Sequence, residues 1–288
     1  MTDTLALPAE IQSAIDLLLP LLRQFARSGY GIALGGAHAK GVSDAASDLD
    51  LYLFANVVLP NELRAKLASE HDPRIHDVYT WGGESPFQQA GTDFMLEELK
   101  VEVWLRAAHV ITGALNEAQA GVVKRELVTW TTTGFYNHCA LADIHTMVVL
   151  EDPNGLLTGW QRRVAEYPDK LRDAIIAQHL AAARFWPHNF HYATAVERCD
   201  LIYTTGIVQQ VLHNLIQVLF ALNRVYFSGD KKLAQALKKL DRSPESFAER
   251  VEALMFPGEP ATVELLRAQR EELQRLVDEV GELVAADD

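Results

Sequence analysis

Hydrophobic and polar residues follow two different periods along the first part of the chain. From Pro8 to Arg27 apolar residues recur every three or four positions, and Gly29 follows, which predicts an amphipathic helix. Tyr30 to Leu34 is a short apolar run and Leu49 to Phe54 alternates, so both predict strands. We expect the polar stretch of about a dozen residues between these strands to be a loop.

The same patterns continue further along the chain. Asn61 to Glu70 predicts a surface helix, and Ile75 to Trp81 predicts another strand. Leu99 to Leu105 combines the β-branched and aromatic residues typical of a strand, but it carries Glu102 in its middle. Because a half-buried acid is costly unless it has a partner or ligand, Glu102 is a candidate functional residue.

Helical patterns dominate after residue 113. Helix-forming residues prevail from Ala114 to Ala142, and Met147 to Leu150 predicts one more extended segment. The later segments with helical period are Lys170–Phe185, Ala195–Tyr226, Lys231–Leu240 and Ala261–Val284. The sequence therefore predicts an α+β protein, with a small mixed, twisted sheet flanked by helices in residues 1–155 and a helical bundle domain in residues 156–288.

Composition and charge narrow the class of protein. The 288 residues are 49% hydrophobic and 23% charged, which is ordinary globular usage. The formal net charge is −13 and no basic patch appears in the sequence, so we expect no long nucleic acid as a partner. Cys139 and Cys199 are far apart and lack metal-ligand spacing, which predicts neither a disulfide nor a zinc site.

Two further features bear on location. The apolar stretches Ile15–Leu22 and Val208–Leu222 are interrupted by polar residues, so we expect no membrane span. The first residues, Met1 to Thr4, lack the basic residues and cleavage site of a secretory signal, which predicts a cytoplasmic protein. The sequence leaves the oligomeric state open.

The strongest chemical signal lies between the first two predicted strands. Gly35 and Gly36 follow a strand, where glycine lets the backbone take positive φ and direct N–H groups towards phosphate oxygens. Asp48 and Asp50 are two positions apart, so both carboxylates face the same side of a strand, with Cα atoms roughly 7 Å apart. Such carboxylates repel each other unless a cation neutralises them, and Mg²⁺ suits both carboxylates and substrate phosphates. We therefore expect a nucleoside triphosphate site with Mg²⁺, or Mn²⁺, as the cofactor.

Glu102 is the candidate for a third ligand. In a two-metal site about 3.5–4 Å separates the ions, one of which activates the attacking oxygen while the other holds the triphosphate. The predicted catalytic and metal-binding residues are Asp48, Asp50 and Glu102. The alternative for Glu102 is a structural ion pair with Lys100 or Arg106.

These residues resemble the motif of the nucleotidyltransferase superfamily, which includes polymerase beta and the aminoglycoside and lincosamide nucleotidyltransferases. The family motif begins with an apolar residue, which is followed by Gly and then by either Gly or Ser. After a spacer of roughly ten residues comes Asp-apolar-Asp, and a third acid lies on a later strand. The matching residues here are Leu34, Gly35, Gly36, Asp48, Leu49, Asp50 and Glu102. The resemblance covers roughly the first half of the chain and implies a nucleotidyltransferase fold with a helical C-terminal domain.

A closer likeness is to bacterial members with a longer Gly-Gly-Ser pattern. The matching positions are Gly35, Gly36, Ala39, Lys40, Gly41, Asp44, Ser47, Asp48, Asp50 and Leu51. Ala37 stands where these relatives usually carry a phosphate-binding Ser, and Glu102 stands where Asp is commoner. The segment Phe220–Leu233 resembles the helical C-terminal region of the same group, which implies that Asn223, Lys231 or Lys232 meets the triphosphate or its acceptor.

The predicted nucleotide-binding residues are Gly35, Gly36, Lys40, Ser47 and Lys231. Lys40 is equally well explained as a surface lysine, and we expect Ser47 to shape the loop together with Asp44. His38 is either a general base or a hydrogen-bonded structural residue. The sequence does not identify the base that activates the acceptor.

The expected reaction is transfer of a nucleoside monophosphate, AMP from ATP, to a hydroxyl of a small-molecule acceptor, with release of pyrophosphate. The acidic balance favours a cationic acceptor such as an aminoglycoside. One alternative is modification of a protein or RNA partner, as in nucleotidyltransferase antitoxins. A second alternative is a nucleotide-binding regulatory protein without turnover, which the Ala37 departure leaves open.

Overall fold

The computed structural model describes residues 7–82, 89–128, 131–256 and 261–287, so Met1 to Thr4 lie outside the described residues. The chain forms two compact units. Unit 1 comprises Met1–Asn116 and Ala140–Glu166, and unit 2 comprises Glu117–Cys139 and Tyr167–Asp288. This division differs from the predicted boundary after residue 155, because 117–139 belongs to unit 2 and 156–166 to unit 1. The assignment of catalysis to residues 1–155 stays a prediction.

Helices and strands are interspersed as far as Glu151, and the elements described after that residue are helices. In chain order the elements are α1 (Ala9–Phe25), β1 (Tyr30–Leu34), α2 (Gly36–Ala39), β2 (Leu49–Ala55), α3 (Asn61–His71), β3 (Ile75–Gly82), β4 (Gln89–Leu96), β5 (Leu99–Arg106), α4 (Ala108–Ala120), β6 (Arg125–Glu126), β7 (Phe135–Tyr136), α5 (Cys139–Thr146), β8 (Val148–Glu151), α6 (Leu156–Val164), α7 (Asp169–Phe185), α8 (Phe190–Glu197), α9 (Leu201–Leu222), α10 (Leu233–Leu237), α11 (Phe247–Met255) and α12 (Val263–Ala285).

One six-stranded sheet organises unit 1. Its strands lie in the order β3-β4-β5-β2-β1-β8. β2 and β5 are parallel, whereas every other neighbouring pair in this sheet is antiparallel. The predicted α+β class, with a mixed sheet flanked by helices and a helical second part, is confirmed.

The two faces of this sheet differ in chemistry because side chains alternate along each strand. Leu51 and Val103, which are odd-numbered residues of β2 and β5, are fully buried in a core to which α1 also contributes Ile15, Leu18 and Leu22. Helix α3 packs beside α1 on the same core. The even-numbered residues of β2 and β5 therefore occupy the opposite face, which carries the acids. We call it the polar face.

Most predicted elements of unit 1 are present within one or two residues of their expected bounds. The expected loop before β2 contains one short helix, α2. β4 was not predicted, since Gly91 and Asp93 weaken its strand pattern. Gly91 is required there because the Trp81 indole lies where its Cβ would be, with Cε2 2.2 Å from that position.

Unit 2 is a bundle of helices with one small hairpin formed by β6 and β7. Helices α7, α8, α11 and α12 all pack against α9. By length and composition α9 is apolar enough to span a membrane, but 78% of its apolar window is buried inside the protein. This burial is typical of the core helix of a soluble protein, and the cytoplasmic location stays a prediction.

Two long helices predicted after residue 113 are wrong in extent. The helix expected over 114–142 ends at Ala120, since Gly121 has φ +76 and its Cβ position is 2.7 Å from the Lys170 carbonyl oxygen. The helix expected over 195–226 is broken between α8 and α9, where Cys199 has φ +53 and the Asp200 side chain accepts a hydrogen bond from the Tyr203 N–H. The predicted Lys231–Leu240 helix is shortened to α10.

Candidate active site

The predicted acids meet on the polar face because β2 and β5 pair in parallel. Their register sets Asp50 directly opposite Glu102, and Asp48 precedes β2 by one residue on the same face. On the other side of β5, antiparallel pairing sets Asp93 of β4 opposite Glu102. Three adjacent strands therefore contribute four carboxylates to one patch, namely Asp48, Asp50, Asp93 and Glu102.

Lys100 lies within this patch. Its Nζ donates to Asp48 Oδ2 at 2.9 Å and to Glu102 Oε1 at 2.5 Å. These hydrogen bonds, the one to Glu102 first, raise the pKa of Lys100 above its usual value. The ion pair between Glu102 and Lys100, which was the alternative explanation for Glu102, is present in the structure.

Asp93 is the functional candidate that the sequence did not reveal. Burial raises the pKa of its carboxyl to about 6, although the hydrogen bond from Trp81 opposes this shift. Trp81 Nε1 donates to Asp93 Oδ2 at 2.8 Å, and Trp104 Nε1 approaches Glu102 Oε2 at 3.4 Å. The two indoles pack edge to face with centroids 4.8 Å apart. They therefore orient two neighbouring acids of the polar face.

The two glycines pack against the same acids. Gly36 has φ +59, and a Cβ there would lie 1.7 Å from Asp50 Oδ2. A Cβ on Gly35 would lie 2.1 Å from the Tyr52 ring, and its N–H donates to the Asp50 carbonyl oxygen at 2.9 Å. The positive φ expected from the sequence is present at Gly36, and the close approach is to the Asp50 side chain. Phosphate binding by these glycines stays a prediction.

The loop between the glycines and Asp48 is held by its own side chains. Ser47 Oγ accepts from the Asp44 N–H and donates to Asp44 Oδ1, both at 2.9 Å. Ser47 and Asp44 thus shape the loop as expected. Lys40 is exposed at the end of α2, whereas His38 is buried and burial lowers its pKa. Nucleotide binding by Lys40 and Ser47 stays a prediction.

The C-terminal candidates lie in unit 2. Lys231 and Lys232 are exposed before α10. The Asn223 side chain donates to the Arg242 carbonyl oxygen and accepts from the Arg242 N–H, each at 2.8 Å. Asn223 therefore joins two segments of the bundle, and the nucleotide-binding role of Lys231 stays a prediction.

Beyond the acids, the polar face continues into a buried ion pair. Arg106 is 5% exposed, and its Nη2 lies 2.8 Å from Asp143 Oδ2. The same guanidinium lies over the Tyr52 ring, 5.1 Å from its centroid. Packing closes this part of the face to solvent. The side chains that a ligand can reach lie at the other end, which carries Asp48 and Lys100.

Carboxylates are the oxygen donors that Mg²⁺ and Mn²⁺ prefer, so the chemistry of the donor set fits a hard divalent cation. The Lys100 ammonium shows in addition that Asp48 and Glu102 can share one cation. Within the described ranges, no three Asp, Glu, His or Cys side chains are already arranged to hold a metal ion. Asp48, Asp50 and Glu102 are therefore ligands of a suitable chemical type for such a metal ion. That the three residues coordinate the same metal ion stays a prediction.

A separate open cavity of about 560 Å³ lies at the opposite end of the same strands. It is found where β2 and β5 end and contains none of the predicted site residues. Its lining carries no Asp, Glu, Lys or Arg, exposes more apolar than polar surface, and consists of Gly29, Asn56, Ala108, His109, Thr112, Gly113, Asn116, Asn154 and Leu156.

Unit 2 holds a buried cluster of three histidines that the sequence did not reveal. Tyr136 lies between them, and its hydroxyl is 2.8 Å from His213 Nε2. His179 Nδ1 is 2.6 Å from Asn214 Oδ1. Burial lowers the pKa of His138 to about 3 and that of His213 to about 4. The cluster is therefore uncharged at neutral pH.

Comparisons with known proteins found similarity to one family model and to solved structures. A family model described as "Domain of unknown function (DUF4037)" matches residues 135–233, less than half of the chain and without the acids of the polar face. No curated protein matches. Among solved structures, the crystal structure of a nucleotidyltransferase-like protein from Exiguobacterium sibiricum 255-15 at 1.90 Å resolution is similar at 12% identity and TM-score 0.45, over 96% of this chain and 78% of that chain.

Proposed function

We propose that the protein is a metal-dependent nucleotidyltransferase that transfers a nucleoside monophosphate, AMP from ATP, to a hydroxyl of a small acceptor. The observation that carries this proposal is the β2–β5 register, which sets Asp50 opposite Glu102 beside the Gly35-Gly36 turn. Carboxylates from two strands next to a glycine turn suit a hard cation and the phosphates that it neutralises.

In this proposal Asp48, Asp50 and Glu102 hold Mg²⁺ or Mn²⁺. When bound, the metal supplies charge stabilisation for the triphosphate and the departing pyrophosphate. The acceptor oxygen forms a bond to the α-phosphorus, the bond from that phosphorus to the bridging oxygen breaks, and pyrophosphate and a proton are released. The backbone at Gly35 and Gly36, with Lys40, contacts the phosphates, so positioning and electrostatics provide most of the acceleration.

The charge of the protein bears on the acceptor. Four carboxylates on the polar face and a net charge of −13 favour a cationic molecule over an anionic one. We therefore propose an amine-bearing hydroxyl compound, of the aminoglycoside type, as the first class of acceptor to test.

The test is pyrophosphate release from each of the four nucleoside triphosphates with Mg²⁺ and a panel of hydroxyl acceptors. Wild type is compared with the Asp48→Ala/Asp50→Ala double variant. The matched control is Glu62→Ala/Glu70→Ala, which removes two exposed acids from α3, on the other side of the sheet. We expect acceptor-dependent release in wild type and control, and none in the Asp48/Asp50 variant.

A second function, nucleotide binding without turnover, is favoured by one observation. Lys100 already pairs with two of the acids and offsets part of their charge, so their presence on one face does not by itself require a metal. The hypothesis of nucleotide binding without turnover replaces the transferase proposal if wild type binds ATP with Mg²⁺ but releases no more pyrophosphate than the Asp48/Asp50 variant with any acceptor.

A further inference from the structure

Lys100 occupies the position between two proposed metal ligands. It lies two residues before Glu102 on the same face of β5 and also contacts Asp48, which immediately precedes β2. Its Nζ lies 2.5 Å from Glu102 Oε1 and 2.9 Å from Asp48 Oδ2, so it contacts both carboxylates directly. The ammonium therefore bridges the two strands at the point where the proposed site needs a cation.

The surroundings make this contact replaceable. The Lys100 side chain is 49% exposed, and its flexible four-carbon stem can carry the ammonium into solvent without moving the backbone. Arg106, on the same strand face, is 5% exposed and held by Asp143 and the Tyr52 ring. One cation of β5 is therefore fixed by packing, and the other is free to exchange for an ion of higher charge.

We propose that Lys100 is a built-in counter-ion that stabilises the acids in the absence of metal and is displaced when a divalent cation binds Asp48 and Glu102. The inference rests on the proposed function in that it assumes these acids are metal ligands. It extends that function by making metal binding a competition between a lysine and a divalent ion. A lysine that only stabilises the sheet has no reason to oppose metal binding.

The first experiment measures Mn²⁺ affinity without nucleotide, by electron paramagnetic resonance of the free ion. Lys100→Met removes the competing ammonium, Lys100→Arg keeps a cation there, and Lys66→Met is the matched control because Lys66 is an exposed lysine of α3 paired with Glu70. The free energy of each exposed ion pair of Lys100 corresponds to a few-fold change in Mn²⁺ affinity, because the ion pair must be broken before the metal binds. Removing both ion pairs is therefore expected to tighten Mn²⁺ binding roughly tenfold. Lys100→Arg and Lys66→Met should bind as wild type does.

A structural consequence is measured on the same variants. Without metal, Lys100→Met leaves the acids without their ammonium, so its unfolding temperature in EDTA should fall below that of wild type. Saturating Mn²⁺ should remove the difference. A lysine with a purely structural role predicts a loss that Mn²⁺ does not restore.

Wild type provides a measurement that does not depend on the folding of a variant. Acetic anhydride labelling followed by mass spectrometry reports the reactivity of each lysine. Mn²⁺ should increase labelling of Lys100, because its ammonium is released, and should leave Lys66 unchanged.

The proposal is overturned if Lys100→Met binds Mn²⁺ no more tightly than Lys66→Met, or if Mn²⁺ leaves Lys100 labelling unchanged. Both measurements are independent of turnover. If Lys100→Met tightens Mn²⁺ binding while no acceptor yields pyrophosphate, the counter-ion role stands and the transferase proposal fails. If pyrophosphate is released but Lys100 does not compete with Mn²⁺, the transferase proposal stands and the counter-ion role fails.

Discussion

Asp93 offers a direct test of the electrostatics of the polar face. Its carboxyl lies opposite Glu102 and accepts one hydrogen bond from Trp81. Replacing it by Asn removes the charge and keeps an oxygen that accepts the same hydrogen bond. We expect Asp93→Asn to be more stable than wild type at neutral pH, even though it changes a partly buried polar residue.

The magnitude follows from the pKa of about 6, against an ordinary value of 3.8. Between these values the folded chain holds more protons than the unfolded chain, so the free energy of unfolding of wild type falls as the pH rises. The loss is complete above pH 6. The difference between a pKa of 3.8 and one of about 6 corresponds to about 3 kcal/mol, and we expect about half of that, since solvent still reaches part of the side chain.

The assay is urea denaturation of wild type and Asp93→Asn at a series of pH values from 4 to 8, followed by tryptophan fluorescence. Asp93→Asn should be more stable by about 1–2 kcal/mol at pH 7.5, and this advantage should disappear near pH 4. Glu98→Gln is the control, since it removes an exposed acid from the turn between β4 and β5.

Two results would refute this reasoning. The first is an Asp93→Asn protein that is equally or less stable than wild type at pH 7.5. The second is a stability difference that does not change between pH 4 and 7.5, because that would trace the effect to packing and not to the charge.

Three further predictions use the same denaturation measurement or hydrogen exchange. Gly36→Ala should lower the free energy of unfolding by about 2 kcal/mol, because the methyl would meet Asp50 Oδ2 and the backbone has φ +59. Gly113→Ala, inside α4 with no atom within 4 Å of the new Cβ, should raise it by about 0.5–1 kcal/mol. The free energy of unfolding of unit 2 should be independent of these histidines' protonation above about pH 6.5 and should fall towards pH 4. The reason is that the pKa values of His138 and His213 are lower in the folded protein than in the unfolded chain. Protection factors of the α9 amides, obtained from hydrogen exchange after correction for the intrinsic pH dependence of the exchange rate, measure this loss, and His213→Gln should reduce its pH dependence. Protection factors that are the same at pH 7 and 4.5 would contradict the prediction.

The strands that carry Asp48, Asp50 and Glu102 could be predicted because each obeys a simple alternation of polar and apolar residues. The alternation of polar and apolar residues does not indicate which strands are neighbours in the sheet. The parallel pairing that sets Asp50 opposite Glu102 joins residues about 50 positions apart, and only the complete sheet determines it.

Asp93 was missed because its strand contains Gly91, which looks like a break in the sequence. The reason for that glycine is the Trp81 indole on the neighbouring strand, a contact between residues ten positions apart that is invisible to a local pattern. Lys100 was recognised only as a possible partner of Glu102. Its contact with Asp48 depends on the same long-range pairing of strands.

That pairing has a consequence for how the protein folds. The β3–β4 and β4–β5 pairs join segments that are close in sequence, and so does β1–β2, whereas β2–β5 closes a loop of about 50 residues. Contacts of this kind are the slow ones, since the entropy of closing the loop must be overcome before the pairing stabilises anything. We therefore expect the acids of β2 and β5 to come together late in folding, after the β1–β2 and β4–β5 hairpins that carry them have formed. Each hairpin alone holds some of the carboxylates, and only their pairing brings the acids of the two strands into one patch.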